Sequence, residues 1–464
     1  MINKQSRGAI ARKIRRIWQL PSGEAGTILC QLGIETRGYL VFGALGRRRP
    51  FPLQRGELIP FLLGVAVVFT THLALAQRLT PITGPGSGNF LTDENALEDP
   101  IGISADGNRI VFYGRNRDPD NNFRGMFLYK VETAELSYLG GGRKPAISAD
   151  GRVMGFLHAG PLVGELPSQE LGLLLLPEEI FEPVTTDTKT ANLDPSLNWD
   201  GSRIAFASPA DLQSGDPPTR FDPEIWLYDR PHRTFRPVTT AFQEDRESRY
   251  PQIAGDGRRV VFRSDADLLS EGIEWGEFHV WFFDVETSTL LRLSPLAGSR
   301  ERYVGEPLIG ADGRRVVFAS DRPTPDEDLA LFQYELWFYD LETSSLARLT
   351  NSAPGRWCLY PQLSGNGRYA VFISDNDFLG QGLPDNWWEV WRLDIETGEI
   401  VRVTQKVQED RSYAQVAINY DGRKIAFSSD AYFGFGSPFQ VDRFDFHVLL
   451  WEDLSPPGTG WMFY

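Results

Sequence analysis

A short pattern built around a glycine turn occurs seven times between residue 99 and the C terminus. One copy reads YPQLSGNGRYAVFISD over residues 360–375 and continues, after a variable stretch, with EVWRLDIETG over residues 389–398. The turn glycines, which are 44 to 56 residues apart, are Gly107, Gly151, Gly201, Gly257, Gly313, Gly367 and Gly422. Repeats of this length are typical of solenoids and propellers, in which neighbouring units bury their apolar faces against one another.

Each copy divides into four short strands. An Asp-Gly pair, as at residues 256–257, lies between two apolar runs and predicts a tight hairpin turn. The runs themselves, such as VVF at 260–262 and WFF at 281–283, are rich in β-branched and aromatic residues. Four-stranded units repeated around an axis form a propeller. We therefore predict an all-β fold, a seven-bladed β-propeller of four-stranded antiparallel blades over residues 77–464.

The first 76 residues have the pattern of an export signal. They contain 11 Lys/Arg and 3 Asp/Glu, and Arg47–Arg49 precede an apolar run at 58–69 that ends near the Ala-Leu-Ala sequence at 74–76. The run is short for a membrane span, which needs about 20 apolar residues. We expect cleavage after Ala76 and a periplasmic or extracellular protein. The alternative is an uncleaved membrane anchor formed by residues 58–76.

The rest of the chain is acidic. Residues 77–464 carry 36 Lys/Arg against 59 Asp/Glu, which argues against nucleic acids and anionic lipid surfaces as partners. After cleavage Cys358 is the one cysteine left, so no intrachain disulfide can form. We expect a monomer with no stable membrane insertion once the leader is removed.

The repeat resembles the TolB-type, WD-like propeller repeats of bacterial envelope proteins. The resemblance rests on the pattern ADGRRVVFASD at 311–321 and on LWFYDLET at 336–343, and it covers residues 99–454. It implies a non-enzymatic scaffold for protein–protein interaction in the cell envelope. TolB itself has six blades after a separate α/β domain, whereas here about 20 residues separate Ala76 from the first repeat.

No catalytic constellation stands out in the sequence. There is no Gly-x-Ser-x-Gly motif, and the histidines after the leader are dispersed at His158, His232, His279 and His447. We therefore predict no catalytic residue and no metal centre. Two alternatives remain open, namely a propeller polysaccharide lyase or hydrolase with ligands from separate blades, and a carbohydrate-binding propeller.

Carboxylate clusters leave calcium as a candidate ligand. Alternating oxygen donors occur at residues 118–122, 265–267 and 375–377, but none forms a complete twelve-residue calcium loop. Turn capping is the competing interpretation. Polar residues also recur at the start of the third strand. They can be interpreted as a ring of ligands or as structural contacts within each blade, and we favour structural contacts. These residues are Glu224, His279, Glu335, Glu389 and His447.

The long crossings between blades are the best candidates for a binding surface. They combine cations with aromatic rings in an acidic protein, which is the composition of interface hot spots. The predicted binding residues, for a protein or peptide partner, are Arg246, Tyr250, Arg302, Tyr303, Arg356, Trp357, Arg411 and Tyr413. The alternative is that the arginines pair with nearby acids such as Glu244, Glu301 and Glu409.

The ring needs a closing strand, because the last repeat supplies three strands before the Pro-Pro-Gly at 456–458. Arg78-Leu79-Thr80 matches the fourth-strand sequence Arg348-Leu349-Thr350. We predict that the N-terminal segment completes the last blade and removes its free edge. Residues 459–464 are the competing candidate.

Overall fold

The computed structural model describes residues 77–83, 90–91, 99–116, 123–163, 166–186, 188, 190–214, 222–240, 246–295, 304–321, 329–330, 332–405, 413–430 and 447–455. These residues form strands, turns and bends and no helix, so none of them belongs to a membrane-spanning helix. One compact unit comprises residues 78–453. A second comprises residues 1–77 and 454–464, nearly all of which lie outside the described residues.

Within the described residues the strands form seven antiparallel sheets, as predicted. Blade 1 contains β2 (Phe90–Leu91), β3 (Gly102–Ile103), β4 (Arg109–Asn116), β5 (Phe123–Lys130) and β6 (Glu135–Gly140). Blade 2 contains β7 (Arg143–Ile147), β8 (Val153–Val163), β9 (Leu166–Leu175) and β10 (Ile180–Pro183). Blade 3 contains β11 (Leu193–Leu197), β12 (Arg203–Ser208), β13 (Glu224–Asp229) and β14 (Thr234–Pro237).

The remaining blades repeat this arrangement. Blade 4 contains β15 (Ser248–Ile253), β16 (Arg259–Ser264), β17 (His279–Asp284) and β18 (Thr289–Arg292). Blade 5 contains β19 (Leu308–Ile309), β20 (Arg315–Ser320), β21 (Glu335–Asp340) and β22 (Ser345–Arg348). Blade 6 contains β23 (Cys358–Leu363), β24 (Tyr369–Ser374), β25 (Glu389–Asp394) and β26 (Ile400–Arg402). Blade 7 contains β27 (Tyr413–Ile418), β28 (Lys424–Ser429), β29 (His447–Asp453) and β1 (Gln77–Pro81).

The two middle strands of each blade carry the core. A phenylalanine lies at one position of the second strand in all seven blades, and each is at most 5% exposed. These residues are Phe112, Phe156, Phe206, Phe262, Phe318, Phe372 and Phe427. In blades 3 to 6 the third-strand residue opposite this phenylalanine is a buried tryptophan, namely Trp226, Trp281, Trp337 and Trp391. Because neighbouring blades cover both faces of these strands, the blades pack together through one layered apolar core.

The N-terminal strand closes the ring, as predicted, because β1 lies beside β29. The predicted register is wrong by three residues. The Thr83 hydroxyl accepts a hydrogen bond from the backbone N–H of Val448, just as the Thr350 hydroxyl accepts one from Leu336. Residues 81–83, Pro-Ile-Thr, therefore occupy the place of residues 348–350. The boundary between residues 76 and 77 and the function of the leader stay predictions, because residues 1–76 lie outside the described residues.

In blades 3 to 6 the residue that begins the third strand makes a structural contact inside the blade, as predicted, whereas the contact of His447 in blade 7 stays a prediction. Thr350 donates a hydrogen bond of 2.5 Å to Glu335, and Thr404 donates one to Glu389. In blade 4 the pair becomes His279 Nδ1 and the Ser294 hydroxyl, 2.9 Å apart. These contacts connect the third strand to the end of the fourth, so they fix the outer strand of the blade.

Candidate functional site

The two faces of the propeller differ in what they can contact. The turns between the first and second strands and between the third and fourth strands are short and uniform. The face that they form is called the turn face here. The opposite face, here the loop face, carries the loops between the second and third strands and the crossings between blades. Variable loops on a rigid scaffold are where binding sites concentrate.

A closed circle of backbone hydrogen bonds connects the blades at the turn face. The Ala105 N–H donates to the Ala149 carbonyl, similar bonds connect each turn to the next, and the Tyr420 N–H donates back to Ala105. Two large rings occupy this circle, since Trp199 of blade 3 contacts Tyr420 of blade 7 with centroids 5.5 Å apart. Because blades 3 and 7 lie on opposite sides of the ring, this contact obstructs the turn-face end of the central channel.

A dipeptide ending in proline lines the channel near the loop face in five successive blades. In each case the residue before proline lies seven positions ahead of the turn glycine, and the five are Lys144, Asp194, Tyr250, Glu306 and Tyr360. The inner strand has a register shift at this point in blades 2, 3, 4 and 6, and the residue has a positive φ of 51° to 55° there. A bulge of this kind redirects one side chain. This set was not predicted as a unit, although the spacing of proline and glycine in the sequence displays it.

Charged groups from three blades meet at this end of the channel. Lys144 Nζ lies 2.8 Å from one oxygen of Asp194, and Arg249 Nε lies 3.0 Å from the other. Burial raises the pKa of Asp194, but the two cations outweigh it, and the net pKa is lowered. The Arg249 guanidinium also lies over the ring of Tyr250, 4.8 Å from its centroid. Asp194 is therefore ionised, and the group of Lys144, Asp194 and Arg249 keeps one net positive charge.

Two of the predicted arginines brace loops within their own blades. Arg356 pairs with Asp375 at 3.2 Å and with Asp385, both in the loop after β24. Arg246 donates to the backbone carbonyls of Asp265 and Ile273, in the loop after β16. This agrees with the loop-holding interpretation, although the acids involved are not the sequence neighbours named above. Whether the two arginines also contact a partner stays a prediction.

Replacing Arg356 with alanine is expected to lower the free energy of unfolding by about 1–3 kcal/mol, because the buried Asp375 loses a charged hydrogen-bond donor. Arg258→Ala is the matched control on the turn face, since its pair with Glu286 at 3.1 Å is exposed on both sides. We expect the control to change stability by less than about 1 kcal/mol. Urea unfolding of both variants measures the difference, and equal losses would contradict the bracing role.

Trp357 is the most exposed of the predicted binding residues whose side chains the structure describes. The residue is 40% exposed, and its ring contacts Tyr334 and Trp388 at centroid distances of 5.8 and 5.9 Å. These three residues, here the aromatic cluster, come from three different connections on the loop face. Tyr250 lies in the channel. Arg302, Tyr303 and Arg411 lie outside the described residues, as does the side chain of Tyr413.

The described carboxylate clusters act as turn caps. Asp267 accepts the N–H groups of Glu271 and Gly272 at 2.7 and 2.9 Å, and Asp377 accepts those of Gln381 and Gly382. Residues 118–122 are outside the described residues, so calcium binding there is untested. Across the described part of the chain, no three His, Cys, Asp or Glu residues are grouped as a metal site requires.

Cys358 is buried at the start of β23. Burial, with Glu335 nearby, raises the pKa of its thiol to about 12. A thiol that stays protonated at neutral pH is a poor nucleophile.

Known proteins resemble this chain in fold. No family model and no curated protein matches the sequence. Among solved structures, an oligogalacturonate lyase from Vibrio parahaemolyticus is 13% identical, with a TM-score of 0.52 over 81% of this chain and 93% of that one. The propeller domain of the Trilobed protease from Pyrococcus furiosus is 11% identical, with a TM-score of 0.51 over 80% and 97%. TolB from Acinetobacter baumannii is 16% identical, with a TM-score of 0.40 over 75% and 81%. The two TM-scores above 0.5 support a shared propeller architecture, and identities this low leave the activity open.

Proposed function

We propose that this chain is an exported, non-enzymatic scaffold of the bacterial cell envelope that binds a protein or peptide partner at its loop face. The observation that carries the proposal is the aromatic cluster, because Trp357 presents exposed apolar area beside loops that Arg356 holds in place. Aromatic rings that are fixed before binding provide contact area at low entropic cost, and they are the side chains most enriched in hot spots.

Export is part of the same proposal. The predicted mature N terminus, Gln77, is also the first residue of β1, so cleavage after Ala76 leaves the closing strand intact. N-terminal sequencing of the protein recovered from the periplasm or medium tests this point. An intact leader in the membrane fraction would support the anchor formed by residues 58–76.

Trp357→Ala is expected to weaken partner capture from an envelope extract by about tenfold or more, because truncating an aromatic hot spot costs about 2 kcal/mol or more. The melting temperature should change little, since the ring is partly exposed. Glu342→Ala, at an exposed residue of the turn face, is the control and should leave capture unchanged. Equal capture by wild type and Trp357→Ala would refute this site.

The competing function is a polysaccharide lyase or hydrolase. The lyase from Vibrio parahaemolyticus makes oligogalacturonate the first substrate to test. We expect no unsaturated product from the purified mature protein. Turnover that disappears on replacing a channel residue such as Tyr250 would replace the scaffold proposal with an enzymatic one.

A further inference from the structure

The described residues place the exposed apolar surface of the loop face on three neighbouring blades. All exposed large apolar side chains in the described loops and crossings of this face belong to blades 4, 5 and 6 or to the crossing between blades 5 and 6. A concentration of exposed apolar area marks a site of contact with another molecule. The aromatic cluster belongs to this part of the face. The exposed side chains are those of Leu269, Trp275, Phe332, Trp357 and Leu379.

The three rings of the aromatic cluster are tilted against one another. The plane of the Trp357 ring makes an angle of 65° with that of Tyr334 and 54° with that of Trp388. Tilted rings form clefts instead of one flat platform. The centroid distances of 5.8 and 5.9 Å together cover the length of about three to four residues of a polyproline II helix, which rises about 3.1 Å per residue.

The aromatic cluster also presents hydrogen-bond donors. Within the part of the chain that the structure describes, the indole N–H groups of Trp357 and Trp388 have no hydrogen-bond partner. The neighbouring Trp387 N–H, in contrast, donates to Glu389 at 2.9 Å. Aromatic grooves with free donors suit proline-rich segments, whose carbonyl oxygens point outward and whose prolines have no N–H that needs an acceptor.

The polar side chains beside the aromatic cluster are occupied within the protein. Asp375 accepts the backbone N–H of Trp357 at 3.0 Å and pairs with Arg356 at 3.2 Å. Gln333 donates to Glu335 at 3.1 Å. A saccharide bound on these rings would find few free partners for its hydroxyl groups, and unpaired hydroxyl groups weaken binding. The surroundings of the cluster therefore favour a polypeptide ligand over a saccharide.

The loops around the aromatic cluster are acidic. Between the strands on the loop face of blades 5 and 6, the described residues include four carboxylates and a single cation, Arg356. The charged residues that end the adjoining strands, two glutamates and two arginines, add no net charge. A partner that carries positive charge beside its apolar part is complementary to this surface. The four carboxylates are Asp321, Asp375, Asp377 and Asp385, and the strand-end residues are Glu335, Arg348, Glu389 and Arg402.

Asp385 is the most exposed of these carboxylates, with 87% of its side chain accessible. One of its oxygens pairs with Arg356, and the other has no partner among the described residues. A cationic side chain of a partner can therefore bind the second oxygen while the contact with Arg356 is kept.

We propose that the aromatic cluster binds a proline-rich segment of a partner polypeptide in the polyproline II conformation, with a neighbouring lysine or arginine paired to Asp385. The pyrrolidine rings fill the clefts between the tilted rings, and backbone carbonyls accept the indole N–H groups of Trp357 and Trp388. Proline-rich chains hold this conformation before binding, so little conformational entropy is lost. The inference rests on the proposed function, because it names the class of partner for the same site.

The test is a calorimetric titration of a protein of residues 77–464 with blocked octapeptides. The first probe has six prolines between two arginines, the second replaces the prolines with alternating glycine and serine, and the third replaces the arginines with glutamine. We expect saturable one-to-one binding of the first probe. The second should bind about tenfold more weakly or worse, because it is flexible and lacks pyrrolidine rings. The third should bind about two- to fivefold more weakly.

Four variants locate the site. Trp357→Phe, which keeps a ring and loses the N–H, should weaken binding of the proline probe about two- to tenfold, and Trp357→Ala about tenfold or more. Asp385→Asn should weaken it about two- to fivefold and should not affect the glutamine probe. Trp199→Ala is the matched control, since Trp199 is 41% exposed on the turn face, and it should bind as wild type does.

Three results would overturn the inference. They are no saturable binding of the proline probe, equal binding of the proline and glycine–serine probes, and unchanged affinity in a Trp357→Ala variant with the wild-type melting temperature. Partner capture from an envelope extract reports separately on the proposed function. If Trp357→Ala abolishes capture while no octapeptide binds to wild type, the scaffold stands and the proline-rich partner is wrong. If Trp357→Ala abolishes binding of the proline probe and leaves capture intact, the proposed function fails at this site and the peptide site stands.

Discussion

Deleting residues 77–83 from a protein of residues 77–464 should reduce the free energy of unfolding by about 5 kcal/mol or more. The deletion removes β1, the buried Ile82 and the Thr83 hydroxyl that accepts the Val448 N–H. It also removes Arg78, which donates to Glu452 at 2.6 Å. Loss of a buried isoleucine side chain alone costs about 2–5 kcal/mol. The exposed edge of β29 should in addition promote aggregation.

Deleting residues 459–464 is the matched control for this experiment. These residues competed with the N-terminal segment for the closing position, and the structure places β1 beside β29. We expect the control to unfold at the wild-type urea concentration. Ile82→Ala should give an intermediate loss of about 2–5 kcal/mol. A C-terminal deletion as damaging as the N-terminal one would contradict closure by β1 alone.

The number of blades could be predicted from the sequence because each blade contains one glycine turn of its own. Seven Asp-Gly or Asn-Gly turns require seven hairpins, and a glycine at each turn has the positive φ that the turn needs, 66° to 75°. The register of the closing strand was harder to predict from the sequence. Arg78-Leu79-Thr80 has the same three residue types as residues 348–350, but the register depends on which threonine places its hydroxyl beside the start of the third strand. Pro-Val-Thr at 237–239 predicts the observed match with residues 81–83.

The candidate site was less accessible to sequence reasoning because its contacts are long-range. Sequence proximity suggested acids next to each arginine, whereas Arg356 reaches Asp375 and Asp385, 19 and 29 residues later. Those partners depend on how two loops of one blade fold against each other.

Glu224 is expected to make the stability of the propeller pH-dependent near neutrality. It begins the third strand of blade 3, as Glu335 does in blade 5 and Glu389 in blade 6. Glu389 also accepts from Arg402 at 2.6 Å, and Glu335 accepts from Ser352 and Gln333. For Glu224 the structure shows one donor among the described residues, the Thr239 hydroxyl. Burial raises its pKa from 4.5 to about 7, and Asp222 adds to the increase.

The sign of the effect follows from proton linkage. Between pH 4.5 and about 7 the folded protein binds more protons at Glu224 than the unfolded chain does. The free energy of unfolding therefore falls as the pH rises through this window, and the loss is complete above about pH 7. A shift of this size corresponds to roughly 3 kcal/mol.

Glu224→Gln should therefore be more stable than wild type at pH 8 by roughly 1–3 kcal/mol, and it should have about the same stability at pH 5. The amide keeps an oxygen to accept the Thr239 hydroxyl and has no charge to bury. Glu389→Gln is the matched control at the same repeat position. It should destabilise at pH 8 by about 3–5 kcal/mol, because it leaves the mostly buried Arg402 without its anionic partner. Urea unfolding of the three proteins at pH 5 and pH 8 separates the two cases. A Glu224→Gln variant that loses stability at pH 8 would show that the ionised carboxylate has a stabilising partner.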